Sequence, residues 1–201
     1  MRVNKARQSD WGGRGDTENR RDVILRALNN VLRAHPRPQS FRMKDLSDYL
    51  GLVKGNLYYY FKSKHDLLYE GRIRCLQQSL EVLEKVSSAT STSSQKLATL
   101  IREHILVLIE GQYSAALLLE AGPMTPARRR KYVGLRDEFE AGMRQDVRMA
   151  SFAILGAINW MPKWYKPGGA SSGADIAEYQ ARFFVGAVKA GKGLPRLSRL
   201  S

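Results

Sequence analysis

The sequence has a single cysteine, Cys75, among its 201 residues. It cannot form an intramolecular disulfide, and we interpret it as a small buried apolar residue. Only three histidines occur, His35, His65 and His104, and they lie far apart along the chain. Metal-spaced His/Cys clusters, phosphate-binding Gly-rich loops and Gly-x-Ser-x-Gly motifs are absent from the sequence. We therefore expect no cofactor, no metal and no enzymatic activity.

Long apolar runs are also lacking. The most apolar stretch, 149–165, is short for a bilayer span and contains Asn159 and Lys163. The first ten residues have no apolar segment of the kind that a secretion signal requires. These absences predict a cytoplasmic protein without a membrane partner.

Acidic residues are few compared with basic ones. The chain has 33 Lys and Arg against 19 Asp and Glu, a formal net charge of +14. Residues 1–74 carry a net +8 and residues 75–201 a net +6, so the surplus is denser in the N-terminal third. Such a surplus favours a polyanionic partner, for which nucleic acid and anionic lipid are the candidates.

Helical periodicity runs through most of the chain, and we find no convincing strand pair. Ile24, Leu28 and Val31 repeat at helical spacing, and His35-Pro36 ends that helix because a residue before proline avoids helical geometry. The pattern predicts helices over about 17–34, 43–50, 54–60, 64–86, 95–119, from 127 onward, 149–165 and 175–189. The predicted fold class is all-α.

Three units are predicted from these elements: a disordered arm over 1–16, a helix-turn-helix domain over 17–66, and a larger helical domain over 67–201. Ser63 and Ser172 are each followed by Asp three residues later. This spacing is typical of a capped helix start.

The second and third helices have the features of a helix-turn-helix. Gly51 supplies the turn, and Ser47 is small where the two helices approach each other. Leu46, Leu50 and Leu57 are spaced to pack between the helices. Residues 43–50 (MKDLSDYL) and 51–64 (GLVKGNLYYYFKSK) together closely resemble the signature of the TetR (tetracycline repressor) family.

The chain departs from the family pattern at several positions. Val53 stands where a capping Ser or Thr is common, and Arg42 takes such a place before the second helix. Asn56 and Tyr60 replace the usual Thr and His. The operator sequence therefore cannot be transferred from relatives.

Candidate DNA-binding residues lie in and around the third helix. Lys54 can donate to guanine O6 and N7, and Asn56 can pair with adenine N6 and N7. Resemblance to the family implies that Tyr58 contacts bases, and it assigns phosphate contacts to Tyr59, Tyr60 and Lys64. The full set of candidates is Arg42, Lys54, Gly55, Asn56, Tyr58, Tyr59, Tyr60 and Lys64.

Residues 58–61 also have a packing interpretation. Phe61 is predicted to be core. Three adjacent tyrosines cannot all face inward on one helix, so at least one is expected to be exposed. Tyr58 either contacts bases or closes the core beside Leu57.

The resemblance implies a dimer whose interface is formed by the last two helices of each subunit. Candidate interface residues are Phe152, Ile158, Ile176, Tyr179, Phe183 and Ala187. An intramolecular core is the alternative for the same residues.

An effector pocket in the C-terminal domain is the second implication. The aromatic and Met-rich set that suits an apolar ligand comprises Tyr113, Met124, Tyr132, Phe139, Trp160 and Trp164. Ordinary core packing is the alternative. The basic run 128–131 serves either as a solvated face or as a site for an anion such as the phosphates of an acyl-CoA.

These patterns predict a ligand-responsive, nucleoid-associated transcription repressor that binds a pseudo-palindromic operator in double-stranded DNA as a homodimer. A small apolar or acyl-type effector would release it. The alternative is an architectural or localisation protein that binds DNA with the same fold and has no effector.

Overall fold

The computed structural model of the chain describes residues 17–34, 40–114, 117, 122–142 and 148–190. For residues 17–19, 142 and 148–152 only the backbone is described. The arm expected over 1–16 lies outside these residues. Among the residues described there is no β-strand, which confirms the all-α prediction.

The helices follow the predicted order along the chain. They are α1 (Thr17–Ala34), α2 (Met43–Leu50), α3 (Lys54–Tyr60), α4 (Lys64–Ser88), α5 (Ser93–Ile109), α6 (Pro126–Gly142), α7 (Arg148–Asn159), α8 (Met161–Trp164) and α9 (Gly173–Ala190). The bounds predicted for the first three agree with the structure.

The N-terminal helices pack around one apolar core. The inward face of α1 contributes Ile24, Leu28 and Leu32, all nearly fully buried. Leu46 of α2 and Leu57 of α3 are completely buried against them. Burial of these side chains provides the main stabilisation of the domain, because transfer of each from water contributes about 1.5–3 kcal/mol.

The turn between α2 and α3 depends on Gly51. This residue has φ 66° and ψ 27°, a left-handed conformation that is strained for other residues. The amide of Leu52 donates to the carbonyl of Ser47 at 2.9 Å and closes the end of α2. Ser47 is buried, and its hydroxyl donates to the carbonyl of Lys44. The small Ser47 and the turn glycine therefore have the roles that the sequence predicted.

The long helix α4 connects the two parts of the chain. Ser63 begins it by accepting a hydrogen bond from the amide of Asp66 at 3.1 Å, which confirms the predicted cap. Helices α5 and α6 pack on α4, and α9 packs along α5. Ala177 and Ala181 are fully buried on the inner face of α9, where small side chains allow close helix approach.

Helix α5 is shorter than predicted. It ends at Ile109 rather than near Leu119, and Gly111 donates to the carbonyl of Leu106 at 2.9 Å to close the last turn. Arg33 of α1 donates to the carbonyl of Ile109. The contact from Arg33 satisfies a terminal carbonyl that a continued helix would have bonded.

The helix predicted over 149–165 is divided in two. α7 ends at Asn159, and the short α8 begins at Met161. Pro162 explains the break, because proline has no amide hydrogen and its ring clashes with the preceding turn of a continuous helix. Ser172 caps α9 through Asp175 as predicted, with the amide of Asp175 donating to the Ser172 hydroxyl at 3.1 Å.

In the described part of the chain, none of the helices combines the length and apolar character that a membrane crossing requires.

Two glycines, Gly51 in the turn and Gly55 in helix α3, provide a test of this fold. A Cβ at either Gly51 or Gly55 would meet no atom within 4 Å, but only Gly51 has a positive φ. We expect Gly51→Ala to lower the free energy of unfolding by about 1 kcal/mol. Gly55→Ala, inside helix α3, should raise it by up to about 1 kcal/mol because alanine favours helix. Urea denaturation at one protein concentration measures both, and equal effects would contradict the assigned turn.

Candidate nucleic-acid interface and candidate effector pocket

The start of α3 presents a row of exposed residues. Lys54, Gly55 and Asn56 are all exposed, whereas Leu57 directly after them is fully buried. Val53 precedes the helix and provides no side-chain cap, since its side chain has no polar atom. The exposed residues carry the donors and acceptors that the sequence singled out for base contacts.

The tyrosines of α3 differ in environment. Tyr59 is 76% exposed and Tyr58 is 38% exposed, which confirms that the run cannot all face inward. The ammonium of Lys54 lies 5.6 Å from the ring centre of Tyr58. Phe61 is 1% exposed and belongs to the core, as predicted.

Tyr60 is held by two arginines of α1. Arg20 donates to the Tyr60 hydroxyl at 3.1 Å, and Arg21 donates to the Tyr60 carbonyl at 2.6 Å. The guanidinium of Arg21 also stacks over Phe61 at 4.5 Å and forms an ion pair with Glu70 of α4. Arg21 therefore ties the end of α3 to α4. Sequence reasoning missed both arginines, whose only signal was two adjacent cations in a helix that packs near α3.

Lys64 and Arg42 lie at the starts of their helices. The ammonium of Lys64 donates to the carbonyl of Phe41 at 2.7 Å and lies 5.4 Å from the centre of its ring. Arg42 is exposed, and its amide donates to the Asp45 carboxylate at 2.7 Å. An ammonium has three N–H donors, so Lys64 retains capacity for a phosphate beyond its contact with Phe41.

The residues predicted to line a pocket occupy different environments. Tyr113 and Phe139 are buried, and Met124 and Tyr132 are half-buried. Trp160 and Trp164 are 65% and 47% exposed, so in the single chain they face solvent.

Tyr113 belongs to the contact between α1 and the segment after α5. Its hydroxyl donates to Asp22 of α1. Burial and the neighbouring Asp22 carboxylate raise the pKa of Tyr113 to about 12. Tyr113 therefore links the C-terminal domain to α1.

A buried histidine lies beside Phe139 in the C-terminal domain. The ring centres of His104 and Phe139 are 4.5 Å apart, and Nδ1 of His104 lies 3.1 Å from the Ser79 hydroxyl. Burial lowers the pKa of His104 to about 4, although Asn159 opposes this shift in part, so the ring is neutral at pH 7. The sequence places His104 on an apolar-periodic helix, but a lone histidine there is only weak evidence for a site.

The proton on this ring can be assigned from its neighbours. The Ser79 hydroxyl donates to the carbonyl of Cys75 at 3.1 Å, so its oxygen accepts from Nδ1 of His104. Nε2 is then an acceptor, and it is buried. Cys75 itself is buried, as predicted, and burial raises the pKa of its thiol to about 12.

The start of α6 contacts the start of α4. Arg128 forms an ion pair with Asp66 at 2.5 Å, and its guanidinium lies 4.9 Å from the ring centre of Tyr69. Burial opposes ionisation of Asp66, but hydrogen bonds from Ser63 and Arg128 outweigh it and lower the pKa of the carboxyl. Of the basic run 128–131, Arg128 thus has a structural partner on α4.

These features define an all-helical chain, in its described residues, with an N-terminal helix-turn-helix followed by a long helix and further packed helices. Residues 143–188 match the family model described as "Tetracyclin repressor-like, C-terminal domain". The resemblance to the TetR family is thereby confirmed, with the family's C-terminal model matching 143–188 and its fold shared across the described helices.

Solved structures with the same fold come from several bacteria. The TetR-family regulator PfmR of Thermus thermophilus superposes with a TM-score of 0.69 at 24% identity, covering 86% of this chain and 99% of that one. SCO3833 of Streptomyces coelicolor A3, a TetR-family member, gives a TM-score of 0.58 at 25% identity, covering 81% of this chain and 89% of that one.

A third similar structure is AibR in complex with isovaleryl coenzyme A and operator DNA. It has a TM-score of 0.60 at 22% identity, and the match covers 82% of this chain and 97% of that one. Among curated proteins, no sequence matches this chain.

His104 makes the stability of the protein depend on pH. Its pKa is about 4 in the folded chain against an ordinary 6.5, so the unfolded chain binds the proton first as pH falls. Above pH 6.5 the neutral His104 ring makes its full contribution to stability. As the pH falls toward 4, the free energy of unfolding decreases by about 3 kcal/mol.

We expect His104→Phe to remove that part of the pH dependence in urea denaturation between pH 6.5 and pH 4. Ser79→Ala keeps the titrating ring and is the matched control, which should retain the slope. Identical slopes in the wild type and His104→Phe would contradict the assignment.

Proposed function

We propose that the chain is a sequence-specific transcription repressor that binds a pseudo-palindromic operator as a homodimer and is released by a small effector. The observation that carries this proposal is the exposed start of α3, where Lys54, Gly55 and Asn56 lie directly before the buried Leu57. Because the buried Leu57 holds the helix against the core, the exposed donors before it have defined positions, as direct recognition of bases requires.

Contacts to phosphates supplement the base contacts in this proposal. Tyr58 lies beside Lys54 for contacts in the groove, and Tyr59 is the most exposed tyrosine of the helix. Tyr60 contributes to the positioning of α3 through its bonds to α1, in addition to the phosphate role that the family resemblance implies. Arg42 and Lys64 complete the set at the starts of α2 and α4.

Two exposed apolar faces support the homodimer. On α9, Tyr179 and Phe183 stack with ring centres 6.5 Å apart, and exposed Ala187 follows one turn later. On α7, Ala153 and Ala157 are exposed on one side. A second copy of the chain would cover both faces in a four-helix interface.

The three remaining interface candidates are not among these exposed residues. Ile158 is 1% exposed and packs in the core of the single chain, and Ile176 is half-buried against that core. The side chain of Phe152 is outside the described residues. Tyr179, Phe183 and Ala187 therefore remain the proposed contact residues.

The effector is proposed to enter the C-terminal domain beside His104 and Phe139. Nε2 of the neutral His104 ring is a buried acceptor to which an effector could donate a hydrogen bond. The candidate lining of Tyr113, Met124, Tyr132, Phe139, Trp160 and Trp164 suits an apolar or acyl-type body. AibR, whose structure holds isovaleryl coenzyme A, supports this class of effector by analogy alone.

Release from DNA would follow from a shift between two conformations. Helix α4 contacts α6 through Asp66 and Arg128 at one end and carries Ser79, the partner of His104, further along. An effector that binds one arrangement of α4 and α6 more tightly shifts the spacing of the two α3 helices.

An architectural or localisation protein without an effector is the second candidate. The exposure of Trp160 and Trp164 favours it, because two of the six pocket candidates do not face the interior of the single chain. A small molecule that changes operator affinity sharply would exclude this candidate.

Selection of bound sequences from random duplexes at about 150 mM salt tests the proposal. We expect a pseudo-palindrome with half-sites about one helical turn apart, or a multiple of it. Lys54→Ala and Asn56→Ala should lose about 1–3 kcal/mol of discrimination at one base pair per half-site while the dimer stays folded. Binding without sequence preference would overturn the proposal, and unchanged selectivity in both variants would overturn the residue assignment.

The dimer interface can be tested with truncations on α9. Tyr179→Ala combined with Phe183→Ala should weaken dimerisation by about thirtyfold, since central aromatic residues contribute about 2 kcal/mol or more. Arg182→Ala, an exposed neighbour on the same helix, is the matched control. Sedimentation velocity across a dilution series measures the effect, and equal dimer constants for all three proteins would place the interface elsewhere.

A further inference from the structure

The last turn of α1 contacts the end of α5 through Arg33. The guanidinium donates to the carbonyl of Ile109 and to the hydroxyl of Ser114. Ser114 is buried, and its own hydroxyl donates to the carbonyl of Gly111 at 2.9 Å. Arg33 therefore joins α1 both to the last turn of α5 and to the segment that follows α5.

The contact continues to the start of α9 through Glu110, which directly follows α5. The Tyr165 hydroxyl donates to the Glu110 carboxylate at 2.8 Å. The same carboxylate lies against the backbone of Gly173, the first residue of α9, because a Cβ at Gly173 would overlap it. Burial lowers the pKa of Arg33, and Tyr165 and Glu110 oppose this shift electrostatically, which couples the guanidinium to both groups. We call Arg33, Ser114, Glu110, Tyr165 and Gly173 the junction cluster.

Helix α1 is held by arginines near both of its ends. Near its start, Arg20 and Arg21 donate to Tyr60 at the end of α3. At its other end, Arg33 belongs to the junction cluster. The helix has 18 residues and therefore spans about 27 Å. It forms a rigid connection between the recognition helix and the start of α9, in addition to the connection through α4.

We propose that Arg33 and Glu110 set the distance between the two recognition helices of the dimer, and thereby the half-site spacing that the protein selects. The inference rests on the operator and the homodimer proposed above, in which α9 lies at the interface. With α9 fixed against the second copy, the junction cluster fixes α1, and α1 fixes α3. Arg33 and Glu110 are positioning residues, because they act on the DNA only through α1 and α3.

A small movement of α1 is enough to change the preferred spacing. One base pair changes the separation of two half-sites by about 3.4 Å. A tilt of about 7° about the Arg33 end moves the other end of α1, about 27 Å away, by the same distance. The junction cluster restricts this tilt, because the Arg33 guanidinium has one acceptor in α5 and another after it. Loss of these contacts should therefore widen the range of spacings that bind.

Operators with altered spacing test this role. The reference is the operator selected by the wild type, and its relatives have one base pair added or removed between the half-sites. We expect the wild type to bind the reference about tenfold more tightly than its relatives. Arg33→Gln should reduce this ratio to about threefold or less, because the recognition helices can then adapt to either spacing. The affinity for a single half-site should stay within about twofold, whereas a general loss of folding would lower it.

Gly173→Ala is a second variant, and it disturbs the cluster without removing a charge. Its methyl group displaces the Glu110 carboxylate, and alanine is favourable in a helix. It should lower the spacing ratio in the same direction, and it tests the proposal even if Arg33→Gln is unstable. Arg102→Gln is the matched control, because Arg102 also joins α5 to α9, through its ion pair with Glu178. It should leave the ratio within about twofold.

A measurement without DNA tests the same geometry. Spin labels at Lys62→Cys, an exposed position between α3 and α4, report the distance between the two copies in the dimer by pulsed electron paramagnetic resonance. Cys75 does not compete for the label, because it is buried and its thiol has a pKa of about 12. We expect Arg33→Gln and Gly173→Ala to shift or broaden the distance distribution by about 3.4 Å, the rise of one base pair.

The outcomes separate this proposal from the proposed function. An unchanged spacing ratio or an unchanged distance distribution in both variants would overturn the spacing role alone. An equal change in Arg102→Gln, or a parallel loss of affinity for the single half-site, would also overturn it. A wild type that is monomeric, or that binds DNA without sequence preference, would overturn the proposed function and the spacing role together, before any variant is compared.

Discussion

The anchoring of helix α3 is the constraint on which the rest of the structure depends. A helix of seven residues is not stable alone in water, because the cost of its first turn exceeds the gain from so few hydrogen bonds. Leu57 and Phe61 bury its inner side, and Arg21 ties its last carbonyl to α1 and α4. The exposed Lys54 and Asn56 have defined positions only because these contacts exist.

Helix α4 connects the anchored α3 to the helices of the C-terminal part of the chain. Its first turn carries Asp66, which pairs with Arg128 of α6, and its middle carries Ser79, which accepts from His104 of α5. One rigid element thus contacts both the seat of α3 and the core of the second domain. A change in the packing of α5 or α6 therefore has a direct physical route to the recognition helix, as the proposed response to an effector needs.

The single chain exposes an apolar surface and a basic surface, and these suit different partners. Apolar rings are exposed on α9 at Tyr179 and Phe183, while the cations of residues 128–131 lie in the first part of α6. Exposed aromatic faces are costly in water and favour association with another protein surface. Clustered cations favour anions instead, so the two surfaces select different classes of partner.

Local patterns in the sequence determined the helix order, the turn at Gly51, the caps at Ser63 and Ser172, and the family resemblance, since each depends on residues close together in the chain. The early end of α5 and the roles of Arg21 and His104 were not predictable. Arg33 reaches Ile109 across 76 residues, and Arg21 reaches Glu70 across 49. Contacts between distant residues depend on how helices pack, and side-chain burial in the packed state sets the pKa of His104, so only the tertiary structure decided them.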